Sequence, residues 1–215
     1  MAGYLIFVAV IFDFFDGFAA RLLKAHSPIG LQLDSLADMV SFGVAPAMML
    51  FYYNFTHNLP TTTGTWILAG IPFVIAVFSA LRLAKFNIDT RQTESFIGLA
   101  TTACGLFIAS LMIHLSGMDY SSYSPYFNEY TIAVGSVILS LLLVAEIPMF
   151  SLKIKKPTDG SSFAKKYKLQ IILIIIALIL IALFRFGGIA ITILLYIVIS
   201  ITKWLTTKRE INQTK

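Results

Sequence analysis

Seven apolar runs, each long enough to cross a bilayer as a helix, follow one another along the chain. They occupy roughly 3–23, 30–53, 65–84, 96–116, 130–150, 169–185 and 187–204. Only Arg185-Phe186-Gly187-Gly188 separates the last two runs, which predicts a tight helical hairpin with glycine at the turn. The third run begins near Gly64 and gives out in the charged stretch after Leu83. No connection is long enough to hold a soluble domain. The pattern therefore predicts an all-α fold, a polytopic membrane helix bundle of about seven transmembrane helices, with 1–215 as one integral membrane domain.

Composition strengthens this reading. The chain is 58% hydrophobic, where soluble domains average about 45–50%. The first run is not a signal peptide, because it carries Asp13 and Asp16, has no basic region ahead of it and lacks a small-residue cleavage site. It starts with almost no polar flank, so a further upstream segment is expected. Cys104, the single cysteine, falls within a span and excludes an intramolecular disulfide, leaving packing as its role.

Charge supplies the topology. Arg21 and Lys24 follow the first run, Arg82, Lys85 and Arg91 the third, and six lysines from Lys153 to Lys168 the fifth. Lys203, Lys208, Arg209 and Lys215 lie at the end of the chain. The alternate connections 54–64 and 117–129 hold no Lys or Arg, so that of 16 basic residues only Arg185 falls on the other side. The positive-inside rule makes the basic side cytoplasmic and places the amino terminus outside. Most of these lysines read as a solvated surface facing lipid headgroups. No basic face interleaved with aromatics supports a nucleic-acid partner. The aromatic run Phe51 to Phe55 reads as an interfacial belt.

One stretch breaks the apolar pattern. Asp13 and Asp16 stand three apart, Asp34 and Asp38 four apart, so each pair shares one helix face. The two helices form a hairpin through Lys24 to Gly30, which lets all four carboxylates converge. Like charges so close repel in a low-dielectric region, and a pair of divalent cations would relieve them. An all-oxygen set suits Mg²⁺ or Mn²⁺, whereas zinc would bring His or Cys. Gly17 and Gly30 remove side chains beside the carboxylates, and Arg21 lies one turn beyond them, suited to bidentate phosphate contact. Charges inside spans default to function. Interhelical salt bridges are the structural alternative, but one Arg cannot balance four Asp.

The spacing Asp13-x2-Asp16-Gly17-x2-Ala20-Arg21-x8-Gly30-x3-Asp34-x3-Asp38 resembles the signature of the CDP-alcohol phosphotransferase family at every defined position. The stretches Leu33 to Ala47, Leu81 to Asn87 and Phe96 to Ala103 are similar to the phosphatidylserine synthase branch of that family. Ser35 and Met39 stand where phosphatidylglycerophosphate synthases usually have proline and lysine; Ala100 and Thr102 stand where the branch often has prolines. Relatives usually carry another helix before the first Asp pair, which deepens the expectation of an upstream segment. The resemblance covers most of the chain and is weakest beyond Lys153.

The resemblance implies a two-metal membrane enzyme that joins CDP-diacylglycerol to L-serine and releases CMP. On this expectation Asp13, Asp16 and Asp34 are metal ligands, and Asp38 is the general base and a further ligand. Gly17, Ala20, Arg21 and Gly30 line the CMP and phosphate pocket. The expected setting is the cytoplasmic (inner) membrane, with membrane lipids as surroundings and a homodimer as the assembly. Sister acceptors, glycerol 3-phosphate or inositol, stay open, as does a cation transporter, although no repeat of the Asp motif appears in the second half.

Other polar residues carry two readings each. Arg82 and Lys85 are either contacts to serine or phosphate, or interface cations that snorkel. Asn87 either bonds a polar substrate or caps a helix end, and Ser41 either faces the site or bonds its own backbone. Glu146, two before Pro148, reads as an interface residue near a kink. His26, His57 and His114 show no metal-ligand spacing and are expected in loops or at helix ends.

Overall fold

Helices form along all seven apolar runs in the computed structural model, which describes residues 1–25, 27–58, 60–89, 96–149 and 168–213. The first is α1, Ala2–Leu22. Ser27 caps the next, α2 (Pro28–Asp38), with Pro28 in its first turn where a missing N–H is no loss. α2 runs through a π-helical turn, Met39–Val44, into α3 (Ala45–Tyr53), which ends in a second π turn, Asn54–Asn58. α4 (Thr63–Gly70) continues through a 3₁₀ turn at Ile71–Phe73 into α5 (Val74–Ile88). Then come α6 (Thr101–Ser116), the short α7 (Tyr120–Tyr123), α8 (Glu129–Val144), α9 (Lys168–Phe184) and α10 (Phe186–Gln213).

This is an all-α polytopic membrane bundle. The stretches Pro28–Asn58, Thr63–Ile88 and Phe186–Thr206, of 31, 26 and 21 residues, are long and apolar enough to cross a membrane by length and composition. Thr101–Ser116, Glu129–Val144 and Leu169–Phe184 are apolar but shorter. Capping boxes at Thr62–Thr65 and Asn128–Thr131 satisfy the first N–H groups of α4 and α8, groups that lipid could not satisfy.

α6 is the central post: α1 and α10 pack on it, α5 packs on α8, and α9 leans on α10. Cys104, Ile108, Ile75, Leu139 and Ile197 meet in the core, and Cys104 is fully buried as packing. Apolar burial drives little association inside lipid, so close backbone approach carries more of the stability. The sharpest example joins the π turn to its neighbours. A Cβ on Gly105 would lie 2.9 Å from Phe42 Cα, and one on Gly43 would lie 2.9 Å from Ser79 Cβ.

The expected boundaries shift in three places. Hydropathy includes residues 96–100 and 145–149 in the spans, but α6 begins only at Thr101 and α8 stops at Val144. Between them Phe96–Ile97 (β1) pairs antiparallel with Pro148–Met149 (β2), Phe96 opposite Met149. Pro148 has no N–H and biases Ile147 towards extended backbone, so α8 cannot continue. The turn between α9 and α10 is the third correction. Arg185, with φ 51°, takes the left-handed conformation, and Gly187 and Gly188 lie inside α10. There Gly188 backs against the Leu180 carbonyl with no room for a Cβ.

The aromatic belt is also only partly exposed. Tyr52 and Phe55 face outwards, whereas Tyr53 is buried and donates to the Phe127 carbonyl at 3.3 Å. His57 stacks on Tyr120 at the end of its helix, and His114 lies in the last turn of α6. His26, Arg91 and the lysines from Lys153 to Lys166 fall outside the described residues.

Gly98 closes the strand pair with φ 76°, and a Cβ there would sit 2.6 Å from the Leu143 carbonyl oxygen. Gly98→Ala is expected to destabilise the bundle by about 1–3 kcal/mol from the left-handed backbone, with the steric clash added. Thermal unfolding in detergent checks this; an unchanged Tm would mean that the strand pair contributes nothing to the fold.

Candidate active site

Local chemistry puts the acidic residues at one end of the bundle. α1 docks its first half through Gly3 and Ile6, the only residues it buries. Its second half stands clear, with Phe12, Phe14, Phe15 and Phe18 about half exposed or more. The chain turns back at Lys24, in the left-handed conformation, and re-enters through the Ser27 cap, whose Oγ accepts from the Gly30 N–H at 3.0 Å. α2 then packs on the π turn and on α5.

Asp13, Asp34 and Asp38 each offer a carboxylate oxygen, all within 4.8 Å of one another. Asp16 stands outside that trio. It faces the neighbouring cleft, although its charge acts on all three. The trio is a pure oxygen set, open on one side because Asp34 is exposed, and thus fits a hard divalent cation. The π turn begins directly after Asp38. Such turns inside helices often sit at functional sites, because the extra residue re-aims the side chains around it.

The cleft beside the carboxylates holds about 750 Å³, and Asp16, Gly17, Ala20, Gly30 and Asp34 line it. The expected pocket residues thus come together, except that Arg21 is not among the lining residues. Its Nε donates to the Gly17 carbonyl at 2.8 Å, and among the described residues it makes no ion pair with the aspartates. A Cβ on Gly17 would meet only the Arg21 guanidinium, 4.0 Å away, so glycine leaves this wall of the cleft open.

Arg82 is 8% exposed on α5. Its Nη1 donates to Thr101 Oγ1 at 3.3 Å, its guanidinium lies 5.9 Å from the Phe86 ring centroid, and its Nε has no partner among the described residues. Its charge also acts on Asp38. Arg82, Lys85 and Glu146 line a separate cavity of about 30 Å³, room for a water but not for an amino acid. Lys85 is exposed. Asn87 does not cap its helix: its Nδ2 donates to Ser35 Oγ on α2 at 3.0 Å.

Two residues here escaped the reading of the sequence. Thr101 matters only because the strand pair brings the start of α6 to Arg82. Ser35 departs from a sister pattern, but nothing in the spacing points to Asn87, 52 positions away.

Residues 1–145 match the family model described as CDP-alcohol phosphatidyltransferase. The chain belongs to that family. Among curated relatives, a Bacillus subtilis protein named CDP-diacylglycerol–serine O-phosphatidyltransferase is 38% identical over 142 residues, 66% of this chain and 70% of that protein. A Helicobacter pylori protein of the same name is 30% identical over 215 residues, covering 95% of this chain and 80% of the relative. One from Methanocaldococcus jannaschii, again so named, is 36% identical over 163 residues, 69% of this chain and 75% of that one. No solved structure matches significantly. CDP-alcohol phosphatidyltransferases depend on divalent metal, in keeping with the oxygen trio.

Asp34→Asn takes one charge from that trio. The variant is expected to lose turnover and to bind Mn²⁺ at least about tenfold more weakly. Metal titration of purified protein against CMP release measures both. Unchanged activity and affinity would remove Asp34 from the metal site.

Proposed function

We propose that this chain transfers the phosphatidyl group of CDP-diacylglycerol to the hydroxyl of L-serine, giving phosphatidylserine and CMP. One observation carries the proposal. The motif residues of a CDP-alcohol transferase gather around an oxygen-only trio beside an open cleft, in a chain whose bacterial and archaeal relatives bear the serine-transferase name. Family membership favours a transferase over the ion-transport alternative.

In this reading Asp13, Asp16, Asp34 and Asp38 hold two divalent ions, Mg²⁺ or Mn²⁺. Bound there, the ions supply charge neutralisation for the pyrophosphate and its leaving half. Gly17, Ala20 and Gly30 leave room for the nucleotide, and the exposed Arg21 turns its free N–H groups to phosphate oxygens. The exposed phenylalanines of α1, Phe12, Phe14, Phe15 and Phe18, offer an apolar surface to acyl chains on the helix that carries Asp13 and Asp16.

The reaction is a displacement at phosphorus. The serine oxygen bonds to the diacylglycerol-bearing phosphorus, and the bond to the bridging oxygen breaks. CMP leaves with that electron pair. Asp38 accepts the hydroxyl proton, without which serine is a poor nucleophile. Arg82, whose Nε has no partner among the described residues, takes the serine carboxylate once the small cavity beside it widens to admit the amino acid, and Lys85 attracts anions at the surface. Residues 1–215 act as one domain, in a homodimer, in the cytoplasmic (inner) membrane. The basic connections support a site on the cytoplasmic face.

CMP release from CDP-diacylglycerol in sealed inverted membrane vesicles tests this, with serine, glycerol 3-phosphate and inositol as added acceptors. Serine is expected to support release without detergent, roughly a hundredfold or more better than the others. Preference for another acceptor would sink the serine reading, and a need for detergent would reverse the orientation.

Asp38→Asn isolates the base. It is expected to keep CDP-diacylglycerol binding while single-turnover CMP release falls by about 10²–10⁴-fold. Binding lost together with turnover would make Asp38 chiefly a metal ligand.

A further inference from the structure

Ser35 and Asn87 form a link that the transfer chemistry has not yet used. Ser35 lies on α2 next to Asp34 and one turn before Asp38, so it borders the acidic trio. Its hydroxyl donates to the Leu31 carbonyl at 3.1 Å. With that proton committed, the Ser35 oxygen can only accept, and Asn87 Nδ2 donates to it at 3.0 Å. The bond fixes which way the amide points. Asn87 Oδ1 is turned to the opposite side, sealed from solvent and with no hydrogen-bond partner among the described residues.

A sealed amide carbonyl without a donor is unfavourable in the empty protein and calls for a donor from a ligand. Asp34, the chain neighbour of the Ser35 that holds this amide, favours a positively charged one. Among the groups of L-serine, the ammonium meets both demands. Glycerol 3-phosphate and inositol have no cation to offer.

Resting on the serine-transfer reading, we propose that Asn87, oriented by Ser35, selects the acceptor by taking the ammonium of L-serine on its side-chain carbonyl. Asn87 is then a specificity residue that touches substrate, and Ser35 is a positioning residue that acts through it.

The test follows CMP release by the full chain in mixed micelles with serine varied, for wild type, Asn87→Ala, Ser35→Ala and Ser35→Thr. Inhibition by 3-hydroxypropionate, which keeps the carboxylate and hydroxyl of serine but lacks the ammonium, is measured beside it. Asn87→Ala is expected to raise the serine KM about 10–100-fold, the loss of one hydrogen bond to a charged group. The KM for CDP-diacylglycerol and the inhibition by 3-hydroxypropionate should not move. Ser35→Ala should shift the serine KM in the same direction, and Ser35→Thr, which keeps the hydroxyl, should restore it.

An unmoved serine KM in Asn87→Ala overturns the proposal. So does a weakening of serine and 3-hydroxypropionate together, the mark of a general lesion. If Asn87→Ala no longer binds CDP-diacylglycerol, Ser35→Ala carries the same comparison with the same two overturning results. Wild type that releases no CMP with serine would instead remove the underlying reading, which separates the two failures.

Discussion

Mutual repulsion among four carboxylates in a medium that screens them poorly is the constraint on which this structure turns. One Asp at the centre of a spanning helix costs about 2.5–3.5 kcal/mol on insertion scales. Four would cost roughly 10–14 kcal/mol, comparable with the entire stability of an ordinary domain. The bundle limits this penalty by keeping the acids at one end, beside an open cleft, with Asp16 and Asp34 exposed. Arg21 makes no ion pair with these acids among the described residues; its Nε donates to the Gly17 carbonyl. An oxygen-only trio of this kind suits a hard divalent cation, whose charge would offset the repulsion.

Holding α2 against the rest of the bundle despite that repulsion requires close packing. The π turn after Asp38 presents Phe42 to Gly105 on α6 and Gly43 to Ser79 on α5, at distances that leave no space for a Cβ. The position of Asp38 is therefore set by backbone contacts on both sides. Asp13 is held differently: the first half of α1 docks on α6, while the half bearing the aspartates projects beside the cleft. The carboxylates of α2 thus face one from the exposed half of α1, which suits a site that must admit a lipid.

A second layer surrounds the acids at the same end. The pairing of β1 with β2 sets where α6 begins, and Thr101 at that start holds the buried guanidinium of Arg82. Ser35 holds Asn87 from the α2 side. Both links are single hydrogen bonds between distant segments. Each has a sealed polar atom with no partner among the described residues, Arg82 Nε and Asn87 Oδ1.

Much of this was written locally in the chain. The seven helical runs, the α1–α2 hairpin, the convergence of Asp13, Asp34 and Asp38 and the glycine-walled cleft all follow from hydropathy and helical spacing over short separations, which is why they could be read. Tertiary contact alone decided the rest. Phe96 to Ala100 is apolar enough to join a span, yet pairing with Pro148–Met149 holds its first two residues extended. Gly187 and Gly188 suggested the turn, but close approach to Leu180 drew glycine into the helix and left the turn to Arg185. The partners Thr101 and Ser35 lie 19 and 52 positions from the residues they hold. Periodicity reports which face of a helix is apolar, whereas hydrogen bonds between helices depend on how those faces are rotated and crossed, and only the packed bundle fixes that.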